Sequence, residues 1–143
     1  MATRREVIDS VTTVMRGTFP NVSNRFRTLE DLTAETQRGR EAFPHWNVGL
    51  GPQEISFALA GDIEIVAGVP VYAIGMCKCE GEDLQLEVAD LIDQLMQALR
   101  DGYTTFTDAC FSLVAARVYP YEDEDRSDIG YVVAVLTFET GNS

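Results

Sequence analysis

Basic residues are scarce in this chain of 143. Eleven lysines and arginines stand against 23 acids, a formal charge of −12. A surface that grips nucleic acid needs cations to displace the counterions around phosphate, so this balance argues against one. Histidine occurs once, at His45, and cysteine three times, at Cys77, Cys79 and Cys110. Three thiols are too few and odd in number for a disulfide framework and read as reduced, buried side chains. Zinc takes about four ligands, which two strand cysteines and one distant histidine do not supply. Nothing sets a thiol beside His45, as a nucleophile with its base requires. No G-x-x-x-x-G-K-[ST] or G-x-G-x-x-G run is present to cradle a phosphate, so no cofactor is expected. No apolar run approaches the roughly 20 residues of a membrane span. The opening MATRREVIDS lacks the apolar stretch of a signal peptide, and the expectation is a protein that stays in the cytosol.

What is present is the composition of one globular domain, 45% apolar and without low-complexity tracts. Thr3 to Arg16 reads as a helix. Thr3 and Glu6 form a T-x-x-E capping box, and Val7, Ile8, Val11, Val14 and Met15 make one apolar stripe. Gly17 is expected to supply a left-handed stop. Arg4 and Arg5 sit at the wrong end for the helix dipole, a modest cost that an acidic partner would offset. Residues 18–52, broken by Pro20, Pro44, Pro52, Gly39, Gly49 and Gly51, read as a long loop or insertion with a short helix within 27–40. Phe43 and Trp46 in that loop either plug the core or anchor a partner. From Gln53 the period becomes two: 54–61, 63–68 and 69–80 read as strand, short strand and long strand. Residues 84–102 form a second helix, with Leu84, Val88, Leu91, Ile92, Leu95 and Leu99 on one face. A short turn at 104–110 then leads to the last third of the chain.

That last third, FSLVAARVY, PYEDEDRSD and IGYVVAVLTFE, is the pattern of an antiparallel hairpin with a long acidic tip. Strict alternation sets Phe111, Leu113 and Ala115 on one face and Val114, Ala116 and Val118 on the other. In the second strand Tyr131, Val133 and Val135 oppose Val132, Ala134, Leu136 and Phe138. Both faces are apolar, so both need a cover. Helices of the same chain cover one, and a neighbouring subunit is expected over the other. The predicted fold is α+β, a mainly antiparallel sheet with helices packed on one face. The tip lacks the glycine and terminal glutamate of a calcium loop; it reads as a solvated charge run, with hard-cation binding as the alternative.

The charge is unevenly distributed. Residues 1–52 hold seven arginines against six acids, and residues 53–143 hold four basic against seventeen acidic residues. Either the surface simply varies, or arginines of one region meet carboxylates of another, within or between subunits.

The element order, together with the closing stretch VYPYEDEDRSDIGYVVAVLTFE and its Phe138-Glu139 pair, resembles the tail terminator proteins of long-tailed phages, the family of the lambda minor tail protein U. The resemblance covers residues 1–17 and 53–139 by topology and 118–139 by motif. It implies a structural virion protein and not an enzyme: a hexameric ring, assembled in the host cytoplasm, that caps the tail tube and meets the head–neck connector. DNA would pass through such a ring without being held. Carboxylates lining the bore would repel the phosphates, and Glu80, Glu82, Asp83, Glu122, Asp123, Glu124 and Asp125 are the candidates for channel or rim. Phe43, Trp46, Arg25, Arg27, Arg38 and Arg40 are the candidates for contacts with neighbouring proteins. The alternatives are another neck or head-closure ring and a small cytosolic enzyme with an acidic site.

Overall fold

The computed structural model describes residues 3–26, 30–32, 43–53, 56–57, 64–65, 68–79 and 83–140. The first helix, α1 (Arg4–Arg16), begins where the capping box predicts, with the Glu6 N–H donating to Thr3 Oγ1 at 3.2 Å. Its end differs from expectation. Gly17 has φ −69°, right-handed, and its N–H reaches the carbonyls of both Thr13 and Val14 at 3.2 Å. The coil tightens through Thr18 and Phe19, whose N–H groups both reach Met15 O, and no left-handed residue is needed.

The segment read as a long loop contains two strands, β1 (Val22–Ser23) and β2 (His45–Leu50). Then come β3 (Ser56–Phe57), β4 (Glu64–Ile65) and β5 (Val69–Lys78). The chain continues through α2 (Leu84–Asp101) and α3 (Tyr103–Asp108) to the hairpin β6 (Phe111–Glu122) and β7 (Ile129–Thr140). The stretch expected as a turn at 104–110 is thus largely helical. Five strands form one sheet in the order β1-β2-β5-β7-β6, antiparallel except for β1 against β2, while β3 and β4 pair separately. The fold is α+β, as predicted.

The main core lies between the sheet and its helices. Val7, Val11 and Met15 of α1, Val88, Leu91 and Leu95 of α2 and Phe106 of α3 meet the sheet face that carries Trp46, Val71, Ala134, Leu136 and Phe138. Phe106, Phe111 and Phe138 pack as a ring trio with centroids 5.2–5.5 Å apart. The alternation read in β7 holds. That in β6 does not, because a bulge falls between Leu113 and Ala115. Val114 is the extra residue, so Ala116 and Val118 pair with Leu136 and Ala134 and join Phe111 and Leu113 on the helix side. Ala115 turns to the other face.

That other face is covered in part by the same chain. Leu32, in a helical turn at 30–32, forms a second buried cluster with Ile74, Met76, Ile129 and Tyr131, and Phe43 and Val133 pack against it. At this end of the sheet the expected cover by a neighbouring subunit is replaced by residues 32 and 43.

Candidate interaction surface

Beyond Leu32 and Phe43 the second face of the sheet opens into a hollow of about 500 Å³. Phe26, Leu50, Tyr72, Val133, Val135 and Tyr119 are among the residues that line it. Phe26 is 89% exposed, and Tyr119 and Tyr121 are exposed as well. Apolar and aromatic surface of this kind, gathered on one side of a sheet, is the usual mark of an interaction face.

The hollow continues to β6, which forms one edge of the sheet with residues 114–117 and 119–122 exposed. A twelve-residue edge strand offers a row of backbone donors and acceptors to another chain. Two features limit it. The bulge at Val114 interrupts the register at one end. At the other, the Asp123 N–H points inward to Ile129 O at 2.9 Å, and inward donors recur every second residue. Residue 120 therefore turns its nitrogen to the free edge, and Pro120 has no hydrogen there. The stretch able to pair runs from Ala115 to Tyr119.

The acidic hairpin tip is not a uniform charge run. Asp123 is 6% exposed and organises the turn. Its Oδ1 accepts the N–H groups of Asp125 and Arg126 at 2.9 and 3.1 Å, and its Oδ2 accepts the buried Tyr131 hydroxyl at 2.6 Å. Asp128 accepts from Arg126 Nε and Nη2 at 3.2 and 2.9 Å and lies 3.9 Å from Lys78 Nζ. The Arg126 guanidinium holds the Asp128 carboxyl below the usual carboxylate range. Glu122, Glu124 and Asp125 remain exposed at the tip.

Several predicted residues take places that the sequence did not distinguish. Trp46 is fully buried in β2, its ring 5.3 Å from that of Phe19, so it is a core residue and has no surface for a partner. Phe43 is half-buried over the second cluster. Asp123 drops out of the channel or rim set because the hairpin uses both its oxygens. Asp83 is exposed immediately before α2. Arg25 is exposed, while its backbone is stapled to β2 by Asn47, which accepts the Arg25 N–H at 3.3 Å and donates to its carbonyl at 3.1 Å. Arg27, Arg38, Arg40, Glu80 and Glu82 lie outside the described residues.

His45 faces Ser23 at 3.3 Å across β1 and β2. The Ser23 hydroxyl donates to Asn47 Oδ1 at 2.9 Å, so its proton is turned away from the imidazole and the pair is arranged as strand support. Cys77 is buried, and burial, helped by Glu87, pushes its thiol up to about 11. A cavity of about 560 Å³ between the start of α2 and the hairpin tip has one carboxylate, Glu122, among its described lining residues. Among the described residues no group of three His, Cys, Asp or Glu side chains could hold a metal ion, and no helix is long and apolar enough to cross a membrane. No family model matches the chain, and no curated protein matches it.

Proposed function

We propose that this chain is a structural ring protein of the tail-terminator kind, a hexamer that caps a phage tail tube and presents a surface to the head–neck connector. The observation that supports this is the apolar sheet face left open beside a long edge strand, with Phe26, Tyr119 and Tyr121 in solvent. Such a face gains most from a second protein surface, and repeated in one direction from copy to copy it closes a ring where the rotation allows. The resemblance of the hairpin to the tail-terminator family supports the same reading.

DNA passage gives the acids a role. Asp83 and the exposed Glu87, Asp90 and Asp93 of α2 form an acidic helix surface suited to a bore that repels phosphate. Arg25 stands near the opposite edge of the sheet, available to a neighbouring protein.

Light scattering on the purified chain across a concentration series, with and without isolated tail tubes, tests the reading. The expected species is a ring of about 95 kDa, six times 15.8 kDa, that stops tube growth. A ring that leaves tube growth unaffected would point to another neck component. A chain that stays monomeric even on tube ends would refute assembly altogether.

A further inference from the structure

A groove of about 280 Å³ runs between the start of α1 and the end of β2, lined by residues that include Arg4, Arg5, Asp9, Arg25, Phe26 and Leu50. Three of the chain's eleven basic residues meet there, against a single carboxylate, Asp9, among the described lining residues. Arg5 and Arg25 are exposed, and neither forms an ion pair among the described residues. Arg4 donates from Nε to Gln53 Oε1 at 2.7 Å, yet its Nη2 is buried without a hydrogen-bond partner. Arg4 and Arg5 also occupy the positive end of the α1 dipole, where a cation is disfavoured and an anion welcome. The groove thus gathers positive charge that no ion pair among the described residues takes up.

The matching negative charge lies at the hairpin tip, in Glu122 and Glu124, beside the exposed ring of Tyr121. The strand register keeps the two apart within one molecule. Leu50 at the end of β2 is level with Val71 and Leu136, whereas the tip leaves the sheet at Ile129. Seven residues of strand separate those levels, about 23 Å at ~3.3 Å per residue, and β2 and β6 are three strand spacings apart. One molecule therefore holds Glu122 and Glu124 away from the arginines of the groove, although Phe26 and Tyr121 both border the hollow on the second face. We propose that the groove takes the hairpin tip of a second copy of this chain, with Glu122 and Glu124 against Arg4, Arg5 and Arg25 and Tyr121 against Phe26. The contact is head-to-tail, the kind that closes into a ring when the rotation allows. It rests on the ring reading above and names its interface, which leaves the acids of α2 for the bore.

Charge reversal with rescue tests it, read by sedimentation velocity. Arg5→Glu/Arg25→Glu and, separately, Glu122→Arg/Glu124→Arg should each raise the concentration for half-assembly by about tenfold or more. The chain carrying all four changes should return to within about threefold of the original. Rising salt should weaken the unaltered assembly, because Arg5, Arg25, Glu122 and Glu124 are exposed. Far-UV circular dichroism checks that each variant folds. Should a reversal unfold the chain, Arg25→Gln with Glu124→Gln replaces it, and the expected reading is a shallower salt dependence. If the reversals leave assembly unchanged, or the fourfold variant is not restored, the docking is wrong while the ring stands. If the unaltered chain never assembles, the ring reading falls and the docking with it.

Discussion

Trp46 and Gly75 stand opposite one another across β2 and β5, so closely that a Cβ on residue 75 would come within 2.8 Å of three atoms of the indole. The missing side chain at 75 is what lets the largest ring of the core lie flat on the sheet beneath α1. Gly75→Ala should therefore cost about 1–3 kcal/mol by overpacking, and Trp46→Ala about 3–5 kcal/mol by the cavity it leaves. Trp46→Phe should cost less than Trp46→Ala, since the indole Nε1 is itself buried without a partner. Urea denaturation measures all three, and an unchanged midpoint for Gly75→Ala would show that the ring has somewhere else to go.

Asp123 and Tyr131 hold the hairpin tip from inside. Asp123→Ala strands two backbone N–H groups and a buried hydroxyl, and should destabilise by about 1–3 kcal/mol. Tyr131→Phe removes only one of the three bonds and should cost less. A double-mutant cycle between the two is expected to show coupling, and additive losses would mean the 2.6 Å contact contributes nothing.

Acid sensitivity is expected at Asp128. Its carboxyl is lowered in the folded chain, first by the Arg126 hydrogen bond, so the stability it contributes is complete above the ordinary carboxylate value. That contribution is lost as pH falls through the lowered folded value, a window below about pH 4. The pair is partly exposed and the effect is small. A carboxyl-carbon NMR titration should show the Asp128 midpoint rising toward the ordinary range in Arg126→Gln.

The three thiols should separate by reactivity. Cys110 is exposed and should be modified first, Cys79 is half-buried and slower, and Cys77 is both buried and raised to about 11. At pH 8 only about one part in a thousand of the Cys77 thiol would be ionised. Maleimide labelling followed by mass mapping should find Cys77 unmodified until the chain is unfolded.

Local pattern determined a good deal here. The α1 cap at Thr3, the stripes of α1 and α2 and the facing of β7 all follow from spacing between neighbours, which depends on the backbone's own period and not on what packs against it. What needed the tertiary structure was each feature set by a distant partner. β2 looked like loop because Pro44, Gly49 and Gly51 read as breakers; it is a strand because β5 supplies its hydrogen bonds and Gly75 makes room for Trp46. The facing of β6 depended on one extra residue, Val114, which no alternation rule reveals before the strand is laid on β7. The acidic tip read as a single run of like charges. Asp123 turns inward, onto Tyr131 eight residues on and the N–H groups of Asp125 and Arg126, while Glu122 and Glu124 stay in solvent, because a buried carboxylate is tolerated only where donors meet it.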